Sequence, residues 1–280
     1  VIASLFAFLG ATASVIFPPG LFERVLAPLE PRIEYMRTFV PLPPARAEIL
    51  FGFDMMFDRS IRQVGEAEGQ DFLLSCIKDT LLDADVVVAN LEGPITPYPS
   101  MSVGSVIGSA ENVTFTFPTT TASLLARHNI GIVNLGNNHI MNFGRDGLLE
   151  TKRWLESAGV LHMGDPDSPE AERVLRTHIR GIPFAFVNWS DWTHSTSLGT
   201  GEFNPTVEQI RAEAQAGQVV VVYTHWGDEY VPPSERVRAL ARQLVDAGAD
   251  IVIGSHPHVV LEREDYNGGI IYYSLGNFVF

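Results

Sequence analysis

The sequence predicts an α/β domain that starts near residue 47, and three features carry that prediction. From Glu48 onward, short β-branched runs alternate with stretches whose apolar residues recur at helical spacing. The buried-looking runs are each followed at once by a cluster of Asn, Glu or His. The 280 residues, 46 % of them hydrophobic and 10 % aromatic, supply a substantial core.

Residues 1–17, at the start of the chain, are uncharged, almost wholly apolar and stopped by Pro18-Pro19-Gly20. Such a run sits at the short edge of a membrane span, which needs about 20 residues. A membrane anchor or signal-like segment is expected there; the alternative is a buried core helix. A helix lying on the domain surface would keep one wet face, which this run lacks. Residues 18–46, with Pro28, Pro31, Pro41, Pro43 and Pro44, read as a linker that holds the domain of residues 47–280 clear of a membrane. Strands are expected at residues 48–53, 85–89, 131–134, 183–188, 218–223, 250–253 and 270–273, and helices at 71–82, 145–157, 206–216 and 234–247. In the second helix Leu148, Leu149, Trp154 and Leu155 lie near helical spacing, with Gly159 as a stop. In the last, Val237, Leu240, Ala241, Leu244 and Val245 share a face, and Gly248 ends it. Residues 97–108, rich in Ser, Gly and Pro, read as a surface excursion.

Charge and cysteine content exclude some classes. A net charge of −14 argues against a nucleic-acid backbone as partner. Cys76 is the only cysteine, so an internal disulfide and a cysteine-based metal cluster are both excluded. Within the expected helix 71–82 it reads as a small buried apolar residue.

The chemistry lies in the residues just past the strand ends. Residues 86–89 lead into Asn90-Leu91-Glu92, and 132–133 into Asn137-Asn138-His139. Residues 219–223 lead into His225-Trp226-Gly227, and 251–253 into Gly254-Ser255-His256-Pro257-His258. Loops at the carboxyl ends of strands converge in an open α/β sheet, and ligands bind there. One histidine after a strand is more often a hydrogen-bonded core residue than a ligand. The joint occurrence, with four of the eight histidines in these clusters, points to a metal site. Carboxylate, amide and imidazole donors without thiolate suit one or two Mn, Zn or Fe ions. A carboxylate bridging two ions would let water become a nucleophile near neutral pH, and His139 is a candidate proton donor to a leaving group.

The motifs Phe53-Asp54-Met55-Met56-Phe57-Asp58-Arg59, Asn90-Leu91-Glu92-Gly93-Pro94-Ile95-Thr96, Asn137-Asn138-His139, His225-Trp226-Gly227-Asp228-Glu229-Tyr230, Gly254-Ser255-His256-Pro257-His258-Val259 and Tyr273-Ser274-Leu275-Gly276-Asn277-Phe278 together resemble the CapA family. Those capsule-synthesis (poly-γ-glutamate biosynthesis) proteins belong to the calcineurin-like metallophosphoesterase superfamily. The resemblance runs from about residue 48 to the end and implies a four-layer α-β-β-α sandwich, with the family's domain continuing past residue 280. It implies Asp54, Glu92, Asn138, His225, His256 and His258 as metal ligands, Glu92 bridging, and His139 as the histidine at the leaving group. Arg59 is then a candidate for holding a substrate carboxylate or phosphate. Asp58, Glu229 and Asn277 fall within the same motifs, either in the site or in structural contacts. Met56 stands where the superfamily's first motif has histidine, and Asn142 where it has aspartate.

The resemblance implies a metal-dependent hydrolase-like protein serving synthesis, export or release of an envelope polymer such as poly-γ-glutamate, at the extracytoplasmic side of the cell membrane. Expected partners are that polymer or its precursor, a membrane-bound polymer synthase, and the membrane itself through residues 1–17. The competing expectations are a non-catalytic, membrane-tethered assembly factor and a general metallophosphoesterase.

Overall fold

The computed structural model describes residues 2–4, 46–166, 174–191 and 203–280, whose strands make two six-stranded sheets. In the first, β1 (Ile2–Ser4) lies antiparallel along β2 (Glu48–Met55), followed by β3 (Val86–Leu91), β4 (Ile130–Asn134) and β5 (Leu161–Met163), parallel to one another. The second comprises β6 (Val174–Ile179), β7 (Ile182–Ser190), β8 (Val219–His225), β9 (Ile251–Ser255), β10 (Arg263–Tyr266) and β11 (Gly269–Tyr272), in the spatial order β10-β11-β9-β8-β7-β6. Its four central strands are parallel and its two edges antiparallel. The last strand, β12 (Asn277–Val279), returns to the first sheet and runs parallel to β2.

The strands hold because both of their faces are covered. In β3, Val87, Ala89 and Leu91 enter one apolar cluster and Val88 another. In β8, Val220 and Val222 enter one while Val221 and Tyr223 enter another. The period-two alternation of a strand thus sorts one apolar run between two interfaces. One cluster joins the first sheet to α1 (Arg59–Glu68), α2 (Lys78–Asp83), α3 (Thr121–Arg127) and α4 (Gly144–Ala158). A second joins the other sheet to α5 (Phe203–Gln215) and α6 (Glu235–Asp246). The third lies between the sheets, where Phe51, Val88 and Ile132 meet Phe184, Phe186, Val221 and Ile253. The layers are therefore helix, sheet, sheet, helix, as the resemblance implies.

All seven expected strands are present, and α4, α5 and α6 match expected helices. Gly159 caps α4 in the left-handed conformation, at φ 74°, and Ser234 caps α6 by accepting from the Val237 amide. The helix expected at 71–82 is different. A 3-10 segment, Gln70–Ile77, precedes the six-residue α2. Three residues per turn put Leu74 and Ile77 on one line against the core. Cys76 falls off that line and is exposed, which corrects the expectation that it is buried. Leu149 likewise turns outward from α4. Residues 2–4 and 46 apart, the expected anchor and linker lie outside the described residues. No described helix is long and apolar enough to cross a membrane.

Gly254 tests the close packing of β9 against the chain leaving β11. A Cβ there would press on the Tyr273 carbonyl oxygen and lie 2.7 Å from Trp226 Nε1, which donates to that same oxygen at 3.0 Å. Gly254→Ala is expected to lower stability by about 1–3 kcal/mol, read as a reduced denaturation midpoint at unchanged m value.

Candidate metal centre

The parallel strands of both sheets bring their carboxyl ends to a common edge. Asp54 is the penultimate residue of β2, Glu92 follows β3, and Asn138 and His139 follow β4. His225 ends β8, and His256 and His258 follow β9. Two sheets therefore contribute, held in register by the apolar cluster between them and by the Tyr223 hydroxyl, which donates to the Gly52 carbonyl at 2.7 Å.

Six of the residues singled out in the sequence come together. Glu92 is fully buried and neither of its carboxylate oxygens has a hydrogen-bond partner among the described residues. His225 Nε2 and His258 Nε2 each stand 3.7 Å from its Oε1. Asp54, also fully buried, accepts from the Asn90 side chain at 2.9 Å and the His256 amide at 3.1 Å, with His258 Nδ1 3.3 Å from its Oδ2. Asn277 Oδ1 lies 2.8 Å from His258 Nδ1, so Asn277 orients that ring. Ligating atoms of Glu92, His225 and His256 lie within 4.8 Å of one another, as do those of Asp54, Glu92 and His258.

The tautomers make these contacts informative. Ser255 Oγ donates to the Thr224 carbonyl at 2.7 Å, so it accepts from His225 Nδ1 at 3.0 Å. His225 Nε2 then carries a lone pair in the neutral ring and faces Asn138 Oδ1 at 2.9 Å as well as Glu92. Acceptor atoms thus gather around the Glu92 carboxylate, a donor set of the kind that suits a cation.

The electrostatics agree. Burial, with the Asp54 carboxylate beside it, holds the Glu92 carboxyl well above the usual range. Burial, with the other histidines nearby, holds His225 well below its ordinary value and lowers His256 as well. Both rings are thus neutral, the form that ligates. Burial opposes charge on His258 too, but its hydrogen bonds to Asp54 and Asn277 and the Asp54 charge raise it net.

His139 and Arg59 stand beside this group. Asn142 Oδ1 accepts from the Phe115 amide at 3.1 Å and lies 3.0 Å from His139 Nδ1, so the ring carries its proton on Nδ1 and leaves Nε2 bare when neutral. Burial, then His258, His256 and Arg59, push its pKa down to about 4 against the hydrogen bond to Asn142. It therefore takes up a charge near neutral pH only when a bound anion favours its charged form. The Arg59 guanidinium lies 4.7 Å over the Phe115 ring, whose face also packs on His139, and its Nε donates to the Asn112 carbonyl at 2.9 Å. Asp58 is structural: it accepts from Arg62, Ser100 and the Thr116 amide. Met56 is buried, its sulfur 3.1 Å from the Asp58 amide. The Ser/Gly/Pro excursion is thereby pinned to Asp58 through Ser100, and Asn112, just after it, holds Arg59.

Sequence reasoning missed a buried asparagine ladder. Asn90 passes from Asp54 to Asn134 Nδ2 at 2.9 Å and Asn137 Nδ2 at 3.1 Å. Asn134 Oδ1 accepts from Asn188 at 2.8 Å, and Asn188 also reaches the Tyr223 carbonyl at 3.2 Å, in the second sheet. Asn137 Oδ1 accepts from the His139 and Ile140 amides and so shapes the loop that presents Asn138. The signal was present: residues 86–90, 130–134 and 184–188 each end a buried apolar run on asparagine.

The sequence profile described as bacterial capsule synthesis protein PGA_cap matches residues 48–280, and the chain belongs to that family. It is 30 % identical over 241 residues to the capsule biosynthesis protein CapA of Bacillus anthracis, covering 81 % of this chain and 58 % of that protein. It is also 30 % identical over 241 residues to the PGA biosynthesis protein CapA of Bacillus subtilis (strain 168), covering 81 % and 61 %. A probable polyglutamine synthesis accessory protein of Mycobacterium tuberculosis is 29 % identical over 168 residues, covering 52 % and 44 %. The chain thus spans less than two thirds of the length of each of these relatives.

Glu92→Gln separates the cost of the site from its use. In chelator-treated protein at neutral pH it is expected to raise stability by about 1–3 kcal/mol, because an unsatisfied buried carboxylate is removed. A carboxyl whose folded pKa is raised costs stability as pH climbs above its unfolded value, so the gain should fade on acidification toward the ordinary glutamate range. Denaturation midpoints of both proteins across pH check this.

Proposed function

We propose that this member of the capsule-synthesis family is a metal-dependent hydrolase-like protein serving the synthesis, export or release of an envelope polymer such as poly-γ-glutamate. The observation that supports this most is the Glu92 carboxylate, buried beside His225, His258 and Asp54 with no hydrogen-bond partner among the described residues. One or two divalent ions of the Mn, Zn or Fe class suit that donor set. Glu92, Asn138, His225 and His256 would hold one ion, and Asp54, Glu92 and His258 the other. Such ions supply Lewis acidity to a substrate oxygen and lower the pKa of water.

The remaining work falls to the chain's own residues. Arg59, steadied by Phe115 and the Asn112 carbonyl, takes a carboxylate or phosphate of the substrate. His139 accepts a proton on its bare Nε2 and returns it to a leaving group while an anionic substrate group favours its charged form. The names of the Bacillus relatives support a polyanionic polymer as substrate or cargo. In this reading residues 1–17 tether the domain outside the cytoplasmic membrane, beside a membrane-bound polymer synthase. A second reading, an assembly factor that binds polymer without turnover, is favoured by Met56 in the first motif and by the word accessory in the name of the Mycobacterium relative.

Three measurements test the proposal. His256→Ala combined with His258→Ala is expected to strip bound transition metal, since the pair serves both positions; unchanged metal content sinks the metal reading. His139→Ala is expected to lower turnover of phosphoester or γ-glutamyl substrates by about 10²–10⁴-fold with metal content intact. Metal-loaded wild-type protein that turns over neither substrate class favours the assembly factor.

A further inference from the structure

Beyond the two donor groups that share Glu92 lies a third. A carboxylate oxygen of Glu229 and one ring nitrogen each of His256 and His258 lie within 4.8 Å of one another. Glu229 is exposed on the loop after β8, whereas both histidines are buried. Two contacts hold this loop against the one after β9: the Tyr230 amide donates to the Pro257 carbonyl at 2.9 Å, and the Tyr230 ring lies 6.1 Å from that of His258. Tyr230, His256 and His258 have φ of 60°, 93° and 55°, conformations that non-glycine residues keep only when their surroundings enforce them. The third group is therefore a built juxtaposition. It also overlaps the other two evenly, sharing His256 with the group of Glu92 and His225 and His258 with the group of Asp54 and Glu92.

We infer that Glu229, His256 and His258 form an outer cation position through which divalent ions load the buried pair, an inference that rests on the metal-centre reading above. Asp54, Glu92 and His225 are each 0 % exposed, whereas Glu229 is open to water beside His256 and His258, so an ion arriving on that side meets its carboxylate first. A carboxylate oxygen and imidazole nitrogens suit the same class of ion as the inner donors. Each histidine belongs to the outer group and to one inner group, so an ion passes inward by exchanging one ligand at a time. The same sharing makes outer occupancy compete with full occupancy of the inner positions. A position that competes with resident ions is one of transit.

The full chain, stripped with chelator and mixed rapidly with Mn²⁺, tests this. Loading is followed by tryptophan fluorescence, since buried Trp226 adjoins His225, and final content by elemental analysis. Glu229→Gln is expected to load about tenfold or more slowly, the lower end of the effect of losing a metal-site partner, and to reach wild-type metal content. Glu229→Asp should recover part of the rate. Asp228→Asn removes the same charge from the neighbouring exposed residue and should load like wild type. The Glu229→Gln defect should persist in about 1 M salt, where the screening length is about 3 Å and long-range steering is lost. Equal loading rates for Glu229→Gln and wild type overturn the inference, as does an equal slowing in Asp228→Asn, which is steering alone. Loss of equilibrium metal from Glu229→Gln also overturns it, making Glu229 a resident ligand. Wild-type protein that takes up no Mn²⁺ overturns the metal centre as well, whereas a loading wild type with an unaffected Glu229→Gln overturns only the outer position.

Discussion

A glutamate carboxylate buried with no hydrogen-bond donor among the described residues is the constraint on which the rest of this structure depends. Glu92 sits beside a second buried carboxylate, Asp54, and close to His225, which burial holds well below its ordinary pKa. Protein alone leaves such a group expensive, because burial disfavours the charge and no described residue donates to it. The scaffold must then hold the arrangement against its own preference. It does so with interfaces on both sides of each sheet and with loops fixed in costly conformations at His256 and His258.

The donors come from both sheets, so the geometry of the centre is the geometry of the inter-sheet contact. The asparagine ladder makes that dependence chemical as well as steric. Asp54 is held by Asn90, Asn90 is tied to Asn134, and Asn134 to Asn188, which reaches the Tyr223 carbonyl on the far sheet. A fully bonded buried network of this kind fixes one arrangement of the strands, because any slip leaves a buried amide unpaired. Gly136 belongs to the same device. A side chain there would collide with the Asn188 amide, so glycine is what lets the loop before Asn137 pass close to the ladder.

Met56 and Asn142 are each absorbed locally. Met56 is packed into the core with its sulfur toward the Asp58 amide, while Asp58 is consumed by Arg62, Ser100 and Thr116. Asn142 gives His139 a neutral acceptor, and burial, with His258, His256 and Arg59 nearby, holds the ring's pKa at about 4. The Ser/Gly/Pro excursion, which reads in sequence as a mere surface loop, holds Asp58 through Ser100, and Asn112 just beyond it holds Arg59.

The sequence by itself determined the α/β class, the sheet strands built on continuous apolar runs, and which residues could meet at their carboxyl ends. Strand direction and chain order suffice for that, since a parallel sheet must gather the loops that leave its strands. It did not determine the 3-10 turn at Gln70–Ile77, because helical spacing and three-residue spacing share Leu74 and Ile77 and only packing against the core distinguishes them. Nor did it determine that Asn90, Asn134 and Asn188 join into one ladder, or that Glu229 stands by the histidines. Those contacts span 44 and 54 residues along the ladder and 27 and 29 from Glu229 to His256 and His258, and no local periodicity encodes such separations. Tertiary structure decided them, because only the stacking of two sheets sets which buried amide faces which, and only the pinning of one loop to another brings an exposed carboxylate over a buried ring.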